Sequence, residues 1–163
     1  MHKIISDSQY LQKMAFRLDP EIPKKIANNS RNFFVRNFDR QQWEGVRWKN
    51  VQRRIEGTNA YKYPKKTQLS RRVNPILVGT GKAISGGALR RAVANSIRSY
   101  NWREIRLGIT SDVPYAKYHN NGEGNNPKRQ FIGDHRELHQ QNREIIRKSV
   151  GDDVQKVLKA AFK

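Results

Sequence analysis

Apolar residues recur along this chain with two different periods. Leu11, Met14, Ala15 and Leu18 stand at i, i+3, i+4 and i+7, one face of a helix. Asp19-Pro20 then offers a capping carboxylate followed by a proline suited to the first helical position. Ile22, Ile26, Phe33 and Phe34 carry a helical stripe on to Phe38. That stripe predicts a long N-terminal helix over about 20–39, its phenylalanines packed into a core.

The period then changes to two. Ile105, Leu107 and Ile109 alternate with Glu104, Arg106 and Gly108, the pattern of a half-buried strand. Leu89 to Tyr100 reads as a partner strand, with Val93, Asn95, Ile97 and Ser99 on one face. Tyr100-Asn101-Trp102 turns the hairpin between them. Short strands are expected at Ile76-Leu77-Val78 and from Arg129 to Ile132. The helical period returns at Leu138, Ile145 and Ile146, and again at Val154, Val157, Leu158, Ala161 and Phe162. Gly151-Asp152-Asp153 should kink or separate these two helices, one aspartate serving as a cap. The pattern as a whole predicts an α+β fold: a small antiparallel sheet packed with a long N-terminal helix and C-terminal helices. The 163 residues suit a single domain spanning 1–163.

Composition changes this picture mainly through charge. Lys plus Arg total 33 against 14 Asp plus Glu, a net charge of +19. Such an excess repels itself unless a polyanion or an acidic protein surface compensates it. Hydrophobic residues are 36% and mean hydropathy is -0.92, so only part of the chain can be buried. The absence of cysteine excludes disulfides and thiolate metal sites. No apolar run approaches the length of a membrane span, and Met1-His2-Lys3-Ile4-Ile5 does not open a secretory signal. Synthesis in the cytosol is the expectation.

The charge is concentrated. Between 46 and 72, Arg47, Lys49, Arg53, Arg54, Lys62, Lys65, Lys66, Arg71 and Arg72 face a single acid, Glu56. Gly57, Asn59 and Pro64 mark this stretch as loop, and Trp48, Tyr61 and Tyr63 interleave with the charges. Cations on phosphates and aromatic rings on bases make it the best nucleic-acid candidate in the chain. The plainer reading, a solvated or partner-facing loop, is favoured because no known nucleic-acid module accompanies it.

Candidate chemistry is sparse. Gly79-Thr80-Gly81-Lys82 suggests a phosphate loop, but Ile76 stands where the first glycine belongs and Ala83 where a hydroxyl residue must follow the lysine. His135 and His139 lie four apart around Glu137, an order that fits no zinc-protease motif, and they read better as exposed helix histidines than as metal ligands. His119 precedes an Asn/Gly-rich run, but carboxylates for a nuclease centre are scarce around it. No triad or paired-carboxylate site emerges, and no cofactor or metal is expected.

These same segments resemble the phage virion morphogenesis family, which includes the tail-completion protein of Mu-like phages. One stretch runs from Asn37-Phe38 through Gln42-Trp43-Glu44-Gly45 to Trp48. A second is Ile76-Leu77-Val78-Gly79-Thr80-Gly81, followed by Leu89-Arg90 and Ser96-Ile97. The third is Ile105-Arg106-Leu107-Gly108, then Pro114-Tyr115-Ala116 with His119 and Gly122, then Pro127, Arg129 and Phe131-Ile132-Gly133. The chain departs from the family in a longer spacing between Gly81 and Leu89 and in the long basic stretch. The resemblance implies an α+β fold and a non-enzymatic structural protein of a tailed-phage virion. Such a protein would assemble as a homo-oligomeric ring at the tail end or neck, against other neck and tail proteins. Thr80, Gly81, Tyr115, His119, Gly122, Pro127, Arg129 and Phe131 would then be structural or subunit-contact positions. The basic stretch would face a DNA-bearing lumen or an acidic neighbour. The rival readings are a free-standing DNA- or RNA-binding protein, expected to bind with strong salt dependence, and a nuclease or toxin built on His119.

Overall fold

The computed structural model describes residues 19–63, 75–77, 88–109 and 113–161, the last six of these by backbone alone. The helix expected around Leu11 to Leu18 lies outside these residues. The long helix α1 spans Ile22–Arg40. It begins slightly later than its capping signal implies: Glu21 is the N-cap and Pro23 sits in the first turn. Asp19 still serves the helix end, its carboxylate accepting the Glu21 N–H at 2.8 Å and its carbonyl the Ile22 N–H at 3.1 Å.

After α1 the chain forms a tight hairpin, β1 (Gln42–Trp43) with β2 (Val46–Arg47). Glu44 and Gly45 both have positive φ, 50° and 81°, as a two-residue hairpin turn of the favoured twist requires. A short 3-10 helix, Gln52–Arg54, and a one-turn helix α2, Asn59–Lys62, follow. Thr58 caps α2, and its hydroxyl also donates to the Gln52 carbonyl at 2.7 Å. The expected loop is therefore built of short elements as far as Lys62, because Thr58 and the turn at Gly57 give its backbone local partners.

The segment Ala88–Ala94 is helix, α3, and not the start of a strand. Leu89, Ala92 and Val93 are buried there at i, i+3 and i+4, and packing against α1 selects the helical period over the alternating one. Strand β3 is confined to Ile97–Tyr100 and pairs antiparallel with β4, Ile105–Leu107. The turn is held as expected: Asn101 Oδ1 accepts the N–H groups of Arg103 and Glu104 at 2.8 and 2.9 Å. The two hairpins form separate two-stranded sheets, so no larger sheet is assembled from the described residues. Ile76-Leu77 is a turn, with Leu77 at φ 61°, and Arg129 to Ile132 joins no ladder.

Helix α4 spans Ala116–Asn121, and a single helix, α5, runs from Arg136 to Ala161. Gly151 does not divide α5, and Asp153 caps no second helix. It lies within α5, where its carboxylate accepts the Asp19 N–H at 3.0 Å. Helix α5 runs back along α1, joined by a polar seam in which Asn29 donates to Asn142 (2.9 Å) and Asn142 to Ser30 (3.3 Å). The core gathers Phe33, Phe34, Phe38, Trp48, Leu89 and Phe131 around α1. Among the described residues no helix is long and apolar enough to cross a membrane.

Candidate functional site

The third motif folds into one pinned unit beneath α1. Helix α4 ends at Gly122, whose φ of 75° reverses the chain. A Cβ at Gly122 would lie 2.8 Å from the Lys128 Cβ and 2.9 Å from its backbone nitrogen, so the returning strand-like segment passes where only glycine fits. The His119 carbonyl accepts the Arg129 N–H at 2.7 Å. Asn120 Oδ1 accepts from both Phe131 and Ile132 at 3.1 Å. From the other side, Asn37 donates to the Phe131 carbonyl (3.3 Å) and Trp48 Nε1 to that of Gln130 (2.9 Å). These backbone bonds at 130–132 go to side chains and that of Arg129 to the end of α4, which explains why a segment with strand-like composition forms no strand. Phe131 is fully buried and packs on Phe38, ring centroids 5.2 Å apart.

Arg129 is only 4% exposed. Its Nε donates to the Lys49 carbonyl at 3.0 Å and its Nη2 to that of Asn50 at 3.3 Å, and no acid among the described residues pairs with it. Burial, and secondarily the positive charge of Arg53, lower its affinity for its proton. Even so lowered, a guanidinium stays charged at neutral pH. Beside it opens a pocket of about 250 Å³ lined by Arg53, Leu77, Leu89, Tyr115, His119 and Arg129, among others. Burial first, and then the charge of Arg129, push the His119 imidazole below its ordinary range, so it is neutral at pH 7. Its Nδ1 is buried without a hydrogen-bond partner. Tyr115 meets the His119 ring edge-on at 6.1 Å. An apolar cleft of about 420 Å³, lined by Leu107, Ile109, Val113, Phe131 and Ile132 among others, borders the opposite flank of α4.

The basic stretch divides. Arg47, Lys49 and Lys62 are exposed and have no acidic partner among the described residues. Arg53 and Arg54 are half-buried in the 3-10 helix, and Arg53 turns to the Arg129 pocket. Lys65, Lys66, Arg71, Arg72, Thr80 and Gly81 lie outside the described residues. Trp48 does not serve as a platform for bases. It is 7% exposed and packs edge-on to Phe38. Tyr63 remains 78% exposed. Pro127 is half-buried in the loop between Gly122 and Arg129.

His135 is not the exposed helix residue its spacing suggests. It precedes α5, is 8% exposed, and lies between the rings of Phe33 and Trp43, at 4.6 and 5.0 Å. Its Nδ1 accepts the Glu137 N–H at the head of α5. His139 points to Asp134. Among the described residues no group of three potential metal ligands occurs. The structure thus joins Arg53 to His119 and Arg129 of the third motif, a link that no local pattern makes. No family model, no curated protein and no solved structure matches the chain.

Proposed function

We propose that this chain is a structural component of a tailed-bacteriophage virion, a tail-completion or head–tail joining protein that works by packing into a ring, and that it is not an enzyme. The observation that carries this reading is the use to which the residues of the third motif are put. His119 and Arg129 are joined through their backbones, Gly122 lies against Lys128, and Phe131 fills the core. These positions serve to hold a shape, as a family of assembly proteins would require, and among the described residues Arg47, Lys49 and Lys62 stand exposed without an acidic partner. Ring contacts between protomers and neighbours are then polar and charge-complementary, and DNA passing through such a ring meets a basic surface.

The test is to purify assembled virions and tail intermediates and to measure this chain in them by mass spectrometry. Stoichiometric presence at the tail or neck is the expected result. Absence from every particle and intermediate would end the proposal. The role of the basic stretch is tested by charge reversal at Arg47, Lys49 and Lys62. Deleting 46–72 would remove Trp48 from the core along with the charges.

A further inference from the structure

We propose that the pocket between Arg53, His119 and Arg129 binds a phosphate group of a nucleic-acid backbone. The inference does not depend on the assembly proposed above. It starts from an uncompensated charge. A guanidinium as buried as that of Arg129 is costly unless an anion meets it. Two of its N–H donors are taken by the carbonyls of Lys49 and Asn50, and the others have no acceptor among the described residues. Among the described residues a second arginine, Arg53, lines the same pocket, and its positive charge acts on Arg129.

The remaining lining fits the same ligand. Tyr115 brings a hydroxyl, and a neutral His119 brings hydrogen-bonding capacity without adding a third charge. A planar guanidinium meets phosphate oxygens with paired, charge-assisted hydrogen bonds. The pocket is open to solvent beside exposed Lys49, whose own carbonyl anchors Arg129, so a polyanion lying along 47–49 would bring a phosphate to its mouth. A carboxylate from a second copy is the weaker candidate, because the chain carries only 14 acids against 33 bases. The favoured occupant is therefore the ligand whose every repeat carries an anion.

The experiment follows the arginine Nε–H resonances of the full chain by nuclear magnetic resonance. Inorganic phosphate, a short DNA duplex and a glutamate-rich peptide are titrated in turn, with chloride at matched ionic strength as the control. Phosphate and DNA should both shift the Arg129 Nε–H signal, with free phosphate competing against DNA, while chloride leaves it in place. Arg53→Gln, which keeps most of the side-chain stem, should weaken phosphate binding by about tenfold or more, the loss of one charge-assisted hydrogen bond. An unmoved Arg129 signal, or unchanged affinity in a folded Arg53→Gln variant, overturns the site. Phosphate binding without DNA binding overturns its assignment to nucleic acid, as does a response to the acidic peptide alone. The wild-type titrations decide between these outcomes even if the variant does not fold.

Discussion

Arg129 Nε donates to the backbone carbonyl of Lys49 across 80 residues of sequence, at 3.0 Å. The basic segment and the third motif are therefore one structural unit. Replacing Arg129 with alanine should destabilise the protein by about 2–4 kcal/mol, since two hydrogen bonds from a charged donor are lost and a buried space is opened. Arg129→Lys should recover little, because an ammonium cannot reproduce the fork that reaches both carbonyls. Urea denaturation of the three proteins measures this.

Gly122→Ala should cost about 2–3 kcal/mol, combining a left-handed backbone with a Cβ pressed on Lys128. Lys128 main-chain atoms form part of that contact, so side-chain rearrangement cannot relieve it. The denaturation midpoint is the readout.

Ser96→Ala should leave stability unchanged or raise it by about 1 kcal/mol, because a buried hydroxyl without a partner is exchanged for a methyl group. Ser96 is 0% exposed and its Oγ has no hydrogen bond. A clear loss of stability on this substitution would mean that the hydroxyl has a partner after all.

Gly151→Ala should stabilise by about 0.5–1 kcal/mol, the ordinary helical advantage of alanine over glycine. Gly151 lies inside the continuous helix α5, with open space where its Cβ would be. If the substitution destabilises instead, α5 bends at this point.

The His119 imidazole has its pKa lowered by folding, so the unfolded chain holds more protons than the native one below the ordinary imidazole range. Stability should therefore be full above about pH 6.5 and decline as the pH falls through that value toward the folded pKa. His119→Gln should flatten this decline. Among the described residues the charged groups lining the His119 pocket are Arg129 and Arg53, both positive throughout, so they do not obscure it. Asp134, whose carboxyl is held below its usual range by His139, responds in the more acidic carboxylate range. Denaturation curves across pH for wild type and variant provide the comparison.

The α+β class and its two strongest elements were legible in the chain alone. Helix α1 follows from a stripe at Ile22, Phe33, Phe34 and Phe38, and the β3–β4 hairpin from alternation closed by Asn101. In both, a long or repeated period and a local capping or turn residue agree, and such signals need no distant partner. Where two periods fitted the same residues, contacts had to choose. Leu89, Ala92 and Val93 suit a helix as well as Val93, Asn95 and Ile97 suit a strand, and burial against α1 decided for helix as far as Ala94. Gly151 marked a break that helix α5 does not make, since one exposed glycine costs less than ending a helix held along α1. The segment 129–132 had strand-like residues, yet its backbone groups at 130–132 bond to Asn120, Asn37 and Trp48 instead of to a neighbouring strand. The pocket belongs to tertiary structure alone. The sequence supplied an excess of cations, but only the crossing of 48–50 with 129–132 buried Arg129 beside Arg53 and His119. Distance and desolvation, the two quantities that turn a cation into a site, are set by packing and are not written in any local run of residues.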